Sequence, residues 1–374
     1  MKTILVTGAQ GFIGKNLVAD LRKSDEYTLL QYDIDNTLEE LEEYITNSDF
    51  IIHLAGVNRT ENVKEFEQGN SDLTKKIIAI MNENNKHIPI LITSSIQAEL
   101  DNPYGVSKKI AEDAVKKWSR ETYNKAYIFR LPNVFGKWCR PNYNSVVATF
   151  CYNIAHELPI RIDDPDKVIT LVYIDDIIDA CLAAINGKLD IANDGYCYIK
   201  NEKEISLQEL ADKIYSFKSS RENLTISDFN DELTRRLYAT YLSYLDEKKF
   251  EYSLQMKHDN RGWLAEFIKS DHFGQIFISK TKAGITRGNH WHHTKIEKFL
   301  VVHGQAAIKL RHINKKDVIE YIVSDENLKV VDIPPGYTHS IENIGSEDVI
   351  TIFWADERFD SEKPDTYYEE VENE

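Results

Sequence analysis

The sequence predicts an α/β, doubly wound parallel sheet followed by an all-β barrel. Three observations predict it. Through the first 130 residues, short apolar runs alternate with amphipathic segments, the pattern of a parallel sheet flanked by helices. A glycine-rich turn, Gly8 to Gly14, directly follows the first apolar run. Beyond Arg261 the texture changes to short strand-like runs at roughly 8–12-residue spacing, with turn residues between them.

Taken in order, residues 3–7 (TILVT) read as a buried strand and residues 12–21 as an amphipathic helix. Further strands are expected at residues 27–32 (YTLLQY), 49–55 (DFIIHLA), 88–94 (IPILITS) and 126–131 (AYIFRL). From about residue 135 to 240 the pattern loosens into mixed helices and loops, which suits a substrate-binding lobe. Residues 243–259 are polar and aperiodic, so the junction is expected there, between a domain at 1–245 and a domain at 255–370. The β-rich half holds QIFISK, EKFLVVHGQAAIKL, VIEYIVS, LKVVDIP and VITIFWA. The acidic end, EEVENE, is expected to fray.

Composition narrows the function. A chain of 374 residues suggests two domains, and 42% hydrophobic residues suffice for packed cores. Lys+Arg number 45 against 61 Asp+Glu, a net charge of −16. So acidic a surface repels nucleic acid and anionic membrane, and an anionic substrate needs a local basic pocket. The four cysteines, Cys139, Cys151, Cys181 and Cys197, form no Cys-x-x-Cys pair, so neither a disulfide framework nor a thiolate metal site is indicated. The N-terminal run lacks the parts of a signal peptide, and no run approaches about 18 apolar residues. A reducing cytoplasm is the expected compartment, with no membrane insertion.

Gly8, Gly11 and Gly14 form a Gly-x-x-Gly-x-x-Gly turn after the first strand. Backbone without Cβ lets a pyrophosphate approach a helix N-terminus. Alone the motif is weak, since glycines after a strand often only make a tight turn; the parallel-sheet context strengthens it. Asp33 ends the second strand near the spacing of a ribose 2′-hydroxyl ligand, and a plain turn residue is the competing reading. Tyr104 and Lys108 form Tyr-x-x-x-Lys, which puts both side chains on one helix face. A neighbouring ammonium is expected to lower the phenol pKa and allow proton exchange with a carbonyl or carbinol oxygen. Ser94 and Ser95 end the fourth strand and could hold that oxygen. The bland alternative is an exposed helical pair beside a polar loop.

In the β-rich half, Gly284, His290, His292, Glu297 and Gly304 are followed by Pro334, Gly336, His339 and Asn343. In a strand His290 and His292 share one face. With Glu297 and His339 they can form a three-His, one-carboxylate site for one divalent metal, suited to Zn, Fe, Mn or Ni, and zinc is the ion expected. His293 points to the other face. A lone His is usually structural; four ligand-type residues at these spacings are not readily explained so.

These residues carry resemblances. GAQGFIG, His53-Leu54-Ala55-Gly56, Ser95, Tyr104 with Lys108, and Arg130, Asn133 and Gly136 resemble an extended short-chain dehydrogenase/reductase acting on nucleotide sugars, over about residues 1–240. That resemblance implies a Rossmann-like sheet and a catalytic triad of Ser95, Tyr104 and Lys108, with Ser94 as the other candidate serine. It implies cofactor contacts from Gly8, Gly11, Phe12, Ile13, Gly14, Asp33, Leu54, Ala55, Gly56, Tyr104 and Lys108. Asn133, Lys137 and Asn144 would bind substrate, and Asn70 would sit near cofactor and sugar. The Thr-Asp-Glu signature of sugar dehydratases is absent, since Ser94-Ser95-Ile96-Gln97 stands there, which favours simple reduction. The His/Glu pattern resembles the two cupin motifs; the second lacks its leading glycine, with Leu328 in its place. Asp259-Asn260-Arg261-Gly262 with Glu266-Phe267 resembles the opening of sugar-epimerase cupins, although an ordinary turn and edge strand explain it too.

The two halves together, with residues 56–59 (GVNR) and 136–146 (GKWCRPNYNSV), resemble the CapF family of bifunctional capsular polysaccharide synthesis enzymes. That resemblance implies a homodimer acting on a UDP-linked 4-keto-6-deoxy-N-acetylhexosamine. The cupin would epimerise C-3 and the reductase would then reduce C-4 with NADPH. Asp33 would repel a 2′-phosphate, so NADH is expected to compete. The competing readings are a C-4 reductase with the cupin as a structural or dimerisation module, a dinucleotide-sensing regulator, and an iron dioxygenase.

Overall fold

The computed structural model of the chain describes residues 1–259, 262–265, 268, 274–357 and 362–372. Asn260, Arg261, Glu266 and Phe267, from the epimerase-like opening, lie outside the described residues. The chain forms two compact units, Met1–Val146 with Val168–Ile205, and Val147–Lys167 with Ser206–Glu374.

The first unit is built on β1 (Lys2–Thr7), β2 (Tyr27–Tyr32), β3 (Phe50–His53), β4 (Ile90–Ser95) and β5 (Ala126–Leu131). They pair in parallel in the order β2-β1-β3-β4-β5. The runs are rich in Ile, Leu and Val because helices cover both faces of a parallel sheet. The order departs from β1 in two directions, to β2 and to β3, which opens a crevice at the carboxyl ends of β1 and β3. Between the strands run α1 (Phe12–Leu21), α2 (Leu38–Asn47), α3 (Val63–Phe66), α4 (Leu73–Glu83) and α5 (Pro103–Thr122). Leu5, Ile51, Ile90 and Ile128 of the strands meet Leu41 and Ile45 of α2, Ile77 and Met81 of α4, and Val115 and Trp118 of α5. Each fully buried aliphatic chain contributes about 1.5–3 kcal/mol.

Capping sets where the helices begin. Thr37 and Glu40 form a reciprocal capping box on α2. Asn102 caps α5 through Oδ1, which accepts from Gly105 N at 2.8 Å, and Pro103 occupies the first turn. That start fixes the phase on which Tyr104 and Lys108 are presented. Strand β6 (Asn133–Phe135) follows β5, and α6 (Val146–Ala155) passes into the second unit. The chain returns with β7 (Val168–Tyr173), α7 (Ile174–Ile185) and β8 (Lys203–Ser206), and β6-β7-β8 make a small second sheet.

The second unit opens with α8 (Leu207–Asn223) and α9 (Glu232–Leu242), then β9 (Glu251–Ser253) and the hairpin of β10 (Met256–Asp259) and β11 (Gly262–Ala265). Its barrel consists of β12 (Gln275–Thr281), β13 (Thr286–Trp291), β14 (Glu297–His303), β15 (Gln305–His312), β16 (Val318–Ser324), β17 (Lys329–Ile333), β18 (Tyr337–Asn343), β19 (Val349–Ala355) and β20 (Tyr367–Tyr368). Two antiparallel sheets, β12-β19-β14-β17-β9 and β16-β15-β18-β13-β20, form the cupin-like domain. Leu254, Leu300, Leu328 and Val330 form a buried cluster in it.

The sequence places the junction at residues 245–255, whereas the compact units group residues 206–242 with the barrel. The reason is packing. The Phe217 ring of α8 lies tilted against Tyr238 of α9 at 5.1 Å, and Phe229 lies 6.0 Å from Trp354 of β19. Asp332 of β17 is fully buried between Lys298 Nζ at 2.5 Å and the Arg221 guanidinium of α8. Removing one member of a buried ion group leaves the others uncompensated. Asp332→Ala is therefore expected to destabilise the second unit by about 3–5 kcal/mol. Urea unfolding of the full chain followed by tryptophan fluorescence measures it; a change under about 1 kcal/mol, the scale of an exposed ion pair, would show that the group does not hold α8 to the barrel.

Candidate active site and metal centre

In the first unit the carboxyl ends of β1, β3, β4 and β5 surround a cavity of about 700 Å³. The glycine turn forms one wall. Gly8 has φ +68°, and a Cβ there would stand 2.6 Å from Ala55 N. A Cβ on Gly14 would stand 2.1 Å from Gly8 O. Neither position can carry a side chain without moving backbone. Helix α1 begins at this wall, and its N-cap Gly11 has no side chain to satisfy the first amides. Unsatisfied amides at a helix N-terminus form a ready anion site, fitted to the pyrophosphate of a dinucleotide.

Opposite stand Tyr104, Lys108 and Ser95. Lys108 is buried, donates from Nζ to Thr93 O at 3.1 Å, and lies 5.9 Å from the Tyr104 ring centre. Burial brings its ammonium down to about 8. The sequence led us to expect a phenol pKa lowered by the ammonium. The structure shows the opposite for Tyr104: burial raises it, a hydrogen bond from Ser95 pulls it partly back, and Tyr143 raises it further. A raised phenol stays protonated near neutrality, the state a proton donor requires. Tyr104 donates its hydroxyl proton to Asn58 Oδ1 at 3.1 Å. Ser95 caps the next turn, its Oγ accepting from Gln97 N at 3.2 Å.

Of the residues expected at the site, Gly8, Gly11, Phe12, Ile13, Gly14, Leu54, Gly56, Ser94, Ser95, Tyr104, Lys108, Asn133 and Asn144 line the cavity. Three do not. Asp33 stands behind the glycine turn, its Oδ2 accepting from Gln10 N at 2.7 Å. Ala55 turns its amide to Thr7 Oγ1 at 3.3 Å. Lys137 is 2% exposed, with Nζ 3.9 Å from Asp175, because it follows Gly136 into the core. Asn70 supports the site from beneath: its side chain exchanges hydrogen bonds with Val57 N and O at 2.9 and 3.0 Å.

Sequence reasoning assigned no role to Asn58, Arg59 or Tyr143. Tyr143 Oη accepts from Arg59 N at 3.1 Å and donates to Arg59 O at 3.0 Å, and Arg59 Nη1 donates to Tyr143 O at 2.7 Å. This latch ties the Gly56–Arg59 turn to the loop carrying Asn144. Both segments stood out in the sequence as words, but no spacing rule joins residues 84 positions apart.

In the second unit His290 lies on β13 opposite His339 of β18, with His292 just beyond the strand and Glu297 opening β14. One ligand atom from each of the four lies within 4.8 Å of the others. Glu297 Oε2 is 3.4 Å from His292 Nε2 and 3.3 Å from His339 Nε2. Both Nε2 atoms are buried without a hydrogen-bond partner, which is costly unless something binds there. His292 Nδ1 faces the Asp365 carbonyl, which turns Nε2 toward the cluster. The Asp365 carboxylate holds that loop through the amides of His293, Thr294 and Lys295, at 2.8, 2.7 and 2.7 Å. The donor set fits one divalent cation of the zinc class. Purified protein is expected to carry one equivalent by elemental analysis and to lose barrel stability on chelation. The His290→Ala, His339→Ala double variant is expected to hold none; full occupancy there would refute the ligand set.

Residues 4–194 match the model of the NAD dependent epimerase/dehydratase family, and residues 257–367 match that of the polysaccharide biosynthesis C-terminal domain. A UDP-2-acetamido-2,6-beta-L-arabino-hexul-4-ose reductase of Pseudomonas aeruginosa is 45% identical over 364 residues, covering 97% of each chain. The crystal structure of the capsular polysaccharide assembling protein CapF from Staphylococcus aureus superposes with a TM-score of 0.68 at 46% identity, over 99% of this chain and 100% of that one. UDP-glucuronic acid 4-epimerase from Bacillus cereus, in complex with NAD, shares the fold alone, at 19% identity and a TM-score of 0.52 over 58% of this chain and 84% of its own. Matched over nearly its whole length by these relatives, the chain, in which a match to the NAD dependent epimerase/dehydratase family precedes a match to the polysaccharide biosynthesis C-terminal domain, belongs to the CapF family.

Proposed function

We propose that the chain carries out two consecutive steps on a UDP-linked 4-keto-6-deoxy-N-acetylhexosamine during surface-polysaccharide synthesis. The barrel inverts C-3, and the N-terminal domain then reduces the C-4 ketone, giving a UDP-N-acetyl-6-deoxy-L-talosamine type of product. The observation that carries the reading is the Ser95–Tyr104–Lys108 group facing the glycine turn, on one chain with a three-His, one-Glu centre in which all but His290 are buried. The Pseudomonas aeruginosa relative is named for reduction of a UDP-2-acetamido hexul-4-ose, a 4-keto sugar.

The order follows from the substrate. A C-4 ketone acidifies the C-3 proton, so a base can remove it and return it to the other face. Reduction removes the ketone and locks the centre. In the reductive step Tyr104 gives its proton to the C-4 oxygen, turning its hydroxyl from Asn58 to the ketone. Ser95 Oγ holds the same oxygen, and buried Lys108 steadies the phenolate that Tyr104 becomes. A reduced nicotinamide dinucleotide, when bound along the glycine turn, supplies the hydride. His290, His292, Glu297 and His339 would hold a divalent metal, which would supply Lewis acidity at the ketone or serve only to hold the barrel together. We take a homodimer in a reducing cytoplasm as the working state; no described helix is long and apolar enough to cross a membrane.

Two measurements test this. Tyr104→Phe is expected to lose ketone reduction by about 10²–10⁴-fold while deuterium from solvent still washes into C-3. Mass spectrometry of the recovered keto-sugar reads both; loss of exchange together with reduction would remove epimerisation from the barrel and leave a C-4 reductase with a structural cupin. Lys108 carries its charge below a pKa of about 8 and loses it above. The kcat/KM for reduction is therefore expected to fall as pH rises through that value, and a profile flat to pH ~10, near the ordinary lysine value, would show that the charge is not used.

A further inference from the structure

We propose that residues 365–371 form a strap that retains the metal, and that Arg311 is the positioning residue that clamps it. The inference rests on the reading of His290, His292, Glu297 and His339 as one cation site. Composition alone predicts that the acidic residues from Glu369 onward fray. Instead Val371 is 1% exposed, and the segment is fixed at both ends. At its start the Asp365 carbonyl faces His292 Nδ1, and the Asp365 carboxylate accepts from the amides of His293, Thr294 and Lys295. At its far end lies Arg311 of β15, which is buried. Its Nε donates to Val371 O at 2.9 Å, and its Nη2 to Glu370 O at 2.9 Å and to Glu369 Oε1 at 2.7 Å. Three donors of one planar fork thus close on three successive residues.

Between its fixed ends the strap runs along β13. Tyr368 of β20 stands opposite His290 on one edge of that strand, and His339 of β18 stands opposite it on the other. Glu369 N donates to Asn289 O at 2.9 Å, and Val371 N to Asn289 Oδ1 at 3.4 Å. Asn289 occupies the bulge between Gly288 and His290 with φ +55°, a conformation that persists only where its surroundings fix it. A bulge re-aims the side chain beside it, here that of His290. The strap also reaches the next strand, where Thr338, adjacent to His339, donates its hydroxyl proton to Glu369 O. One segment therefore fixes backbone beside His290, His292 and His339. A bound cation departs as its ligands let go one by one, and each ligand recaptures it while the backbone stays in place. Groups outside the ligand sphere hold that backbone, and Arg311 acts on the metal through the strap.

Metal release tests the proposal without turnover. The full chain is loaded with zinc, mixed with an excess of a colorimetric chelator, and the rate of zinc transfer is followed. Arg311→Lys keeps the charge and loses the fork, and Val371→Ala loosens the strap from its own side. Both are expected to release zinc about tenfold faster or more, the scale of an outer-shell partner of a metal site. Val330→Ala is the matched control, because it removes the same atoms from a valine equally buried in the barrel, within the Leu254, Leu300 and Leu328 cluster. Its release rate is expected to stay near that of the natural sequence. A natural rate in either strap variant overturns the proposal, as does a Val330→Ala rate as fast as that of Val371→Ala, since zinc loss would then follow barrel stability alone. The natural chain supplies a second readout that no misfolded variant can spoil. Coupling is reciprocal, so the amides of residues 366–371 are expected to exchange with deuterium more slowly in the zinc-loaded protein than in the stripped one. Equal exchange overturns the strap. Failure of the natural chain to take up zinc overturns the four-ligand reading itself, a result distinct from zinc that is bound and released at one rate throughout.

Discussion

Much of the first unit depends on one close backbone approach. Gly14 lies so near Gly8 O, and Gly8 so near Ala55 N, that the end of β1, the start of α1 and the turn after β3 meet without side chains between them. That contact brings the unsatisfied amides of α1 to the crevice where the sheet order reverses. The 700 Å³ cavity is then closed by residues from later in the chain. Ser95 arrives at the end of β4, and α5 carries Tyr104 and Lys108 to it from a start set by Asn102 and Pro103.

Burial sets the chemistry of both centres by different routes. Around Tyr104 it keeps a phenol protonated and weakens the hold of Lys108 on its own proton, so the ammonium becomes clearly the more acidic of the two groups. In the barrel, burial pushes the Glu297 carboxyl up, but His292 and His339 outweigh it and hold it well below its ordinary value. A permanent anion facing two orphaned ring nitrogens is the electrostatic mould of a cation site. Asp365 keeps the mould in shape by binding three successive amides of the loop that carries His292.

The same physics explains how the second unit gathers more chain than its strands require. Asp332 is buried with Lys298 and Arg221, and such a group is stable only when complete. Arg221 lies on α8, so that helix is held to β17 by a charge requirement, while Phe217 of α8 meets Tyr238 of α9, and Phe229 meets both Tyr238 and Trp354 of β19. Helices that precede the expected junction are thereby grouped in one compact unit with the barrel.

The sequence by itself determined the two fold classes, the strand and helix order of the first 130 residues, the glycine turn, Tyr104 with Lys108, and the four metal-ligand candidates. Each is a local or periodic signal: alternation, a Gly spacing, an i,i+4 pair, or His residues two apart on a strand. Tertiary structure decided what depends on distant partners. It set Asp33 on Gln10 N, buried Lys137 beside Asp175, and joined Arg59 to Tyr143. It brought Asn58 to the Tyr104 hydroxyl and raised a phenol that the lysine alone would have lowered. Desolvation and long-range hydrogen bonds have no period along the chain, so they become visible only when the fold has brought the groups together.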